Sequence, residues 1–206
     1  MEKLRSSLPN MVLVLTGVAL ITGALLAWVN SVTAAPIAQQ QAKELADGIK
    51  AVMQATDLTV SKTDTLRQTL GGKEQAFVVY RVDNAQKQSI GAAVEATTMG
   101  FGGDLRVLAG FSPSGELLGY TILQHSETPG LGAKADKWFQ TGHKGSIIGR
   151  QMDTQKPLTV KKDGGDVDAI TASTITSRAF LKAINQAYAA YAEQPVDAQS
   201  GASKRH

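Results

Sequence analysis

Five hydroxyl side chains crowd together just ahead of a predicted C-terminal helix: Thr171, Ser173, Thr174, Thr176 and Ser177. Serine and threonine commonly cap helices, because their side-chain oxygens accept hydrogen bonds from the free N–H groups of the first turn. The same end of a helix also binds phosphate, since its N–H groups are free and its macrodipole is positive there. The cluster therefore has two interpretations, a helix cap and a phosphate site.

The charged residues near the start of this helix help to compare the two interpretations. No acidic residue occurs from 169 to 192, whereas Arg178 and Lys182 lie in the first turns. Cationic side chains are unfavourable at the positive end of a helix unless an anion offsets them. A phosphate would supply that charge, although the residues alone leave capping and phosphate binding equally open.

The residues Asp168, Thr171, Ala172, Ser173 and Thr174 form a pattern with a known counterpart. It resembles the flavinylation signature of the FMN-binding domain family, usually Asp-x-x-Ser/Thr-Gly-Ala-Thr. The last threonine of that signature carries FMN through a phosphoester, so the resemblance implies covalent FMN on Thr174 as a phosphoryl threonine. This chain departs from the pattern with Ala172 for the common glycine and Ser173 for the common alanine, and both substitutes are small.

Two further blocks resemble the same family. Residues 127–132, Glu-Thr-Pro-Gly-Leu-Gly, resemble the flavin-lining block of its membrane-bound members RnfG (also called RsxG) and NqrC, and residues 100–103, Gly-Phe-Gly-Gly, resemble a third loop. Glycine permits tight turns and close backbone approach to a flat ring. An ordinary Pro-Gly loop before a short helix near 133–140 is the alternative. Beyond Thr174, the resemblance implies these cofactor-binding residues: Thr128, Gly130, Leu131, Gly132, Asp168, Thr171, Ser173, Thr176 and Ser177.

An N-terminal segment is apolar enough to cross a membrane. No charged residue occurs from 6 to 42, and a helix over residues 11–29 would reach roughly 28 Å, close to the hydrocarbon thickness of a bilayer. Lys3 and Arg5 precede it, which predicts a cytoplasmic N-terminus and a periplasmic or extracytoplasmic domain on the inner membrane. Small residues at 32–34 suit a signal peptidase, but the apolar run exceeds a typical signal core, which favours an uncleaved single-pass anchor.

Composition excludes several kinds of chemistry. The 206-residue chain has no cysteine, which excludes disulfides, thiolate nucleophiles and cysteine-ligated clusters. Its three histidines lie far apart in sequence, so we predict no metal site. The net charge of +3 comes from interleaved acids and bases. This pattern predicts a solvated surface and no nucleic-acid partner.

Periodicity predicts the elements that position these residues. Helices are predicted from 36 to about 55 and from 176 to about 192, and strands at 76–82, 90–97, 105–111 and 117–124 form an antiparallel meander. The predicted fold is α+β: a single N-terminal transmembrane helix, then one FMN-binding domain with an antiparallel sheet and flanking helices. The predicted organisation is a cytoplasmic N-terminus (1–10), an anchor (11–29), a linker and amphipathic helix (30–55), the domain (56–192) and a flexible tail (193–206).

The resemblance to RnfG implies an electron-transfer subunit of a membrane-bound, ion-translocating oxidoreductase complex that links ferredoxin and NAD. FMN would perform the redox chemistry, so no independent catalytic residue is expected. The implied partners are other membrane subunits, membrane lipid and a separate flavin transferase that uses FAD and magnesium. The nearest alternative is an NqrC-like subunit of a sodium-translocating quinone reductase, although the length fits RnfG better.

Two alternatives belong to other classes of protein. A non-redox, membrane-tethered binding module would need the hydroxyl cluster only as a helix cap. A hydrolase using Ser177 or Thr174 as nucleophile is disfavoured, because no motif links His125 or His143 to either hydroxyl.

Overall fold

A computed structural model of the chain describes residues 8–70 and 73–192. The elements are α1 (Leu8–Met53), five strands, a 3-10 turn (Gly132–Lys134), α2 (Ala135–Trp138), a second 3-10 turn (Lys161–Asp163) and α3 (Thr174–Ala192). The strands are β1 (Leu58–Leu70), β2 (Lys73–Asn84), β3 (Ser89–Met99), β4 (Asp104–Phe111) and β5 (Leu117–Gln124). The predicted tail at 193–206 lies outside the described residues.

Helix α1 runs without interruption through both predicted N-terminal segments. The sequence predicts a new helix at Pro36, but this proline lies inside α1. Among the residues that the structure describes, α1 is the one helix long and apolar enough to cross a membrane, with a mean hydropathy of 2.4 over its most apolar window. The chain divides into two compact units between Glu44 and Leu45, so the last turns of α1 belong to the second unit.

The second unit is built on a five-stranded antiparallel sheet with the strand order β1-β2-β3-β4-β5. Alternate residues of the inner strands face opposite sides, as the two-residue period of a strand requires. On one side the sheet packs against α3, and on the other against Ile49, Val52 and Met53 at the end of α1. These findings confirm the predicted α+β fold with an antiparallel meander and flanking helices.

Strand β1 was not predicted from the sequence. It pairs along almost its whole length with β2 and forms one edge of the sheet. Its residues, Leu-Thr-Val-Ser-Lys-Thr-Asp-Thr-Leu-Arg-Gln-Thr-Leu, are mostly polar and include both signs of charge. Edge strands often carry charges, which discourage pairing with other chains, so the apolar alternation that identifies an inner strand is absent.

Aromatic packing fixes the start of α3 against the rest of the unit. Phe180, in the second turn of α3, is fully buried and stacks on Phe139 with ring centroids 4.5 Å apart. Tyr120 of β5 meets the Phe180 ring edge-on at 4.6 Å, and each such pair stabilises the fold by about 0.5–1.5 kcal/mol beyond area burial. The buried hydroxyl of Thr98 on β3 also donates to the Ala179 carbonyl at 2.9 Å. The N-terminal turn of α3 therefore has a defined position beside the β3–β4 connection.

Candidate functional site

Three loops of the second unit meet at a cavity of about 370 Å³. One is the β3–β4 connection at 100–103, the second follows β5, and the third leads into α3. The cavity is lined by Phe101, Glu127, Thr128, Leu131, Gly132, Ala172, Ser173, Thr174, Ile175 and Thr176. The three sequence blocks that resemble the FMN-binding domain family therefore lie together, although long stretches of chain separate them.

Glu127 joins all three loops. Its side chain is buried, and Oε1 accepts hydrogen bonds from the backbone N–H groups of Phe101 at 2.7 Å and Gly102 at 3.3 Å. The other oxygen, Oε2, accepts from the Thr176 hydroxyl at 2.8 Å. A buried carboxylate is costly unless such donors compensate for lost hydration. Glu127 thus fixes the separation between the β3–β4 connection and α3, which are opposite walls of the cavity.

Two glycines leave room for this carboxylate. A Cβ atom at Gly100 would lie 2.2 Å from Glu127 Oε1, and one at Gly132 would lie 2.3 Å from Oε2. The sequence suggested that glycines here allow backbone to approach a flat ring, but these two allow the approach of the Glu127 side chain. Gly130 differs, because the space around its Cβ position is open but its φ is 77°. Glycine is favoured at this position by the backbone conformation and not by a close contact.

The five hydroxyls of the cluster have different environments. Ser173 is buried and donates to Thr176 Oγ1 at 3.1 Å, while the Ser177 hydroxyl, also buried, accepts from the Ile170 N–H and donates to the Ser173 carbonyl, both at 2.9 Å. With Thr176 bound to Glu127, these three hydroxyls hold the start of α3. Thr174, the first residue of α3, is half-buried and lines the cavity.

The loop before α3 contains a strained residue. Ala172 has a φ of 61°, in the left-handed region where the Cβ of an L-residue meets the following carbonyl oxygen. This is the position at which the family signature usually has glycine, which adopts such a φ freely. Alanine in place of the common glycine therefore costs conformational energy at this position.

The second 3-10 turn, Lys161–Asp163, faces the start of α3 from the solvent side. Its three consecutive side chains each contact a different residue: Lys161 pairs with Asp168 at 2.8 Å, Lys162 Nζ lies 3.4 Å from Thr174 Oγ1, and Asp163 binds Arg178 at 2.6 Å. The bidentate Arg178 guanidinium holds the pKa of the Asp163 carboxyl below its ordinary value. Arg178, for which the sequence suggested a phosphate, is thus already matched by an acid from outside the helix.

Apolar side chains surround the mouth of the cavity. Phe101, Ile175 and Leu131 line it and are 68%, 53% and 41% exposed, and Met99 at the end of β3 is 71% exposed. Among the residues after α1 whose side-chain exposure the structure describes, only Val60 is a further exposed large hydrophobic residue. Concentrated apolar exposure around one concave site is typical of a surface that binds a ligand or partner.

The structure brings together part of the predicted site. Thr128, Leu131, Gly132, Ser173, Thr174 and Thr176 line the cavity, whereas Gly130, Asp168, Thr171 and Ser177 do not. Thr171 is exposed, and the Asp168 carbonyl accepts from the Trp138 indole at 2.8 Å.

Five residues that line the cavity or contact Thr174 were not named as site residues from the sequence: Phe101, Glu127, Lys162, Ala172 and Ile175. The Gly-Phe-Gly-Gly block did indicate where Phe101 lies, but nothing in the sequence links Lys162 to Thr174. A second cavity of about 320 Å³ lies along α3 and includes no residue from 168 to 177.

Comparisons with known proteins identify the family to which this chain belongs. The FMN-binding domain model matches residues 100–189, and the RnfG N-terminal region model matches residues 4–52. The G subunit of the ion-translocating oxidoreductase complex of Shewanella baltica (strain OS223) is 36% identical over 178 residues, which cover 82% of each chain. The corresponding protein of Aliivibrio fischeri (strain ATCC 700601 / ES114) is 34% identical over 185 residues, covering 85% of this chain and 86% of that one.

The chain belongs to the RnfG family, the G subunits of ion-translocating oxidoreductase complexes. It carries an FMN-binding domain, and the match to that domain runs from the β3–β4 connection into α3. The match at residues 4–52 covers much of α1 and is to the N-terminal region of RnfG. The resemblance inferred from the three sequence blocks is therefore confirmed, including its RnfG character.

The contacts of the histidine nearest the cavity do not favour hydrolysis. His125 Nδ1 accepts from the Glu127 N–H at 3.2 Å, and Nε2 lies 3.6 Å from Asp136. The Ser177 hydroxyl is engaged with Ile170 and Ser173. Within residues 8–70 and 73–192, no group of three or more acidic or histidine side chains could hold a metal ion.

Proposed function

We propose that this chain is the electron-transfer RnfG component of an Rnf-type complex and carries FMN bound covalently to Thr174 through a phosphoester. The proposal rests on the position of Thr174. It is the first residue of α3 and lines a cavity whose mouth carries apolar side chains. The neighbouring hydroxyls of Ser173, Thr176 and Ser177 are buried and engaged with protein groups. Thr174 is therefore the cavity-lining hydroxyl of the signature best placed for modification.

The residues of the cavity fit the parts of FMN. Phe101, Leu131 and Ile175 offer apolar surface suited to a flat aromatic ring system. The start of α3 and the nearby Lys162 offer positive charge to a phosphate. FMN, when bound, supplies the one- and two-electron redox chemistry, while the protein orients it. Trp138 and Phe139 do not line the cavity, and Phe139 is packed in the core.

Attachment would require a separate flavin transferase that uses FAD and magnesium. The Thr174 oxygen forms a bond to the phosphorus of the FMN half of FAD, the pyrophosphate bond breaks, AMP leaves, and the hydroxyl proton passes to a base or to water. Thr174 is the acceptor in this step and not a catalyst.

The wider assignment follows from the family. Relatives are named as subunits of an ion-translocating oxidoreductase complex, so we propose that this chain docks with other membrane subunits and lipid through α1. The complex would couple ferredoxin and NAD redox chemistry to ion movement, with the N-terminus cytoplasmic and the FMN domain extracytoplasmic. Protease added to intact spheroplasts should then remove the domain, and protection of the domain would contradict this orientation.

The attachment is tested with the full chain produced together with a flavin transferase. We expect in-gel flavin fluorescence after denaturation, and an intact mass increased by one FMN phosphoester on the peptide containing Thr174. Thr174→Val, which keeps the side-chain shape, should abolish both signals. Ser173→Ala and Thr171→Ala are matched controls that should keep them. Fluorescence that survives Thr174→Val, or that is lost only in Ser173→Ala, would contradict the assignment to Thr174.

A further inference from the structure

We infer that Lys162 is the positioning residue for the FMN phosphate, a role that rests on the proposed attachment at Thr174. Lys162 Nζ lies 3.4 Å from Thr174 Oγ1, the atom that the phosphoester would include. The phosphorus of such an ester would be bonded to Oγ1 and would carry two non-bridging oxygens, which share one negative charge. These oxygens are better acceptors for an ammonium group than the neutral threonine hydroxyl.

The turn that carries Lys162 contacts the segment that carries Thr174 on both sides. Lys161 pairs with Asp168 at 2.8 Å and Asp163 pairs with Arg178 at 2.6 Å, so the residues before and after Lys162 are tied to the loop and helix that carry Thr174. The Lys161 N–H donates to the Val167 carbonyl at 2.9 Å, which binds the base of the turn to the same loop. The Lys162 side chain is exposed and has room to follow a phosphate.

The charges of the neighbouring groups assign this role to Lys162. Arg178 is engaged with Asp163 through two hydrogen bonds of 2.6 Å, and Lys161 is engaged with Asp168. Lys162 is the residue of the turn whose side-chain hydrogen bond is to a hydroxyl and not to a carboxylate; its charge also acts on Asp163, whose hydrogen bonds are to Arg178. A cation already directed at the acceptor oxygen can attract the incoming phosphate and then pair with the phosphoester.

The experiment compares Lys162→Met, which keeps length and removes charge, with Lys162→Arg and with Lys156→Met as a matched control at another exposed lysine. Full-length chains in detergent are labelled by a flavin transferase with FAD and magnesium. We expect Lys162→Met to slow labelling by about two- to fivefold, the effect of one exposed charge pair. Lys162→Arg should restore the rate, and added salt should reduce the difference between the variants.

Two readouts separate a phosphate contact from a general effect on folding. The phosphorus-31 resonance of the labelled chain should shift in Lys162→Met and stay unchanged in Lys156→Met. The thermal midpoint should fall in labelled Lys162→Met, but it should be unchanged when the same substitution is made in the unlabelled Thr174→Val chain.

The outcomes distinguish this inference from the proposed function. If FMN is found on Thr174 but Lys162→Met behaves like Lys156→Met in rate, resonance and midpoint, the role of Lys162 is overturned and the function stands. If Lys162→Met lowers the midpoint equally with and without FMN, its role is structural and the inference is overturned. If the wild-type chain carries no FMN, the proposed function fails and the inference fails with it.

Discussion

The start of α3 is held from two sides that differ in their exposure to water. On the buried side, the Glu127 carboxylate accepts from Phe101, Gly102 and Thr176. On the exposed side, the 3-10 turn Lys161–Asp163 reaches across with three charged side chains. Both sides have charged side chains, but only the buried Glu127 carboxylate loses its hydration.

This difference separates the control of shape from the supply of charge. A buried carboxylate cannot leave its donors without leaving them unpaired, so Glu127 fixes the walls of the cavity. Exposed ion pairs are screened by solvent and salt and contribute little to stability. The exposed turn can therefore place positive charge beside Thr174 with little effect on the fold.

The largest effect on stability should come from removing the buried Glu127 carboxylate. Glu127→Ala leaves the N–H groups of Phe101 and Gly102 and the Thr176 hydroxyl without their acceptor, and should reduce the free energy of unfolding by about 2–4 kcal/mol. Urea unfolding followed by tryptophan fluorescence would measure this change. Glu127→Gln is the matched control: its oxygen can still accept from the N–H groups, so the loss should be smaller. An Ala variant as stable as the wild type would contradict the assigned role of Glu127.

A smaller effect, a gain in stability, is expected from a substitution in the loop that precedes α3. Ala172→Gly relieves the strain of a φ of 61° and should raise the free energy of unfolding by about 0.5–1 kcal/mol, after the greater flexibility of glycine in the unfolded chain is subtracted. Ala169→Gly, at a nearby position without a positive φ, should give no such gain. The same urea experiment measures both variants. Equal changes in the free energy of unfolding at the two positions would contradict the inference that Ala172 is strained.

The smallest effect should come from the exposed side. Asp163 has a pKa below its ordinary value of 3.8 because of Arg178, so its contribution to stability is present above that value and is lost as the pH falls through the lower pKa of the folded state. Asp163→Asn should therefore lose less thermal stability than the wild type as the pH falls below about 4. High salt should bring the two profiles together. Identical profiles at low salt would show that the pair does not contribute.

The sequence predicts the sheet better than it predicts the site. Strands β2 to β5 are rich in apolar residues that the sequence pattern identifies, whereas β1, one of the two edge strands, is mostly polar and lacks that signal. Pro36 suggested a helix start because proline suits a first turn, yet α1 continues through it. A local preference of one residue was outweighed by the helical pattern on both sides.

The blocks at 100–103, 127–132 and 168–174 indicated where the site lies, and the cavity joins all three. The central role of Glu127 could not be inferred, because its three donors come from two other segments of the chain. The pairing of Arg178 with Asp163 is not predictable for a similar reason, since Asp163 lies outside the helix, in a different segment of the chain. Such contacts depend on tertiary structure, which local patterns do not contain.

Thr174 is half-buried and lines a cavity at the surface of the domain, while the hydroxyls of Ser173 and Thr176 are buried. Under the proposed attachment, a transferase can therefore act on a domain that has already folded. The chain can be inserted in the membrane, fold its domain and receive FMN last. Maturation then becomes a separate step at which a cell can regulate how many copies become competent for electron transfer.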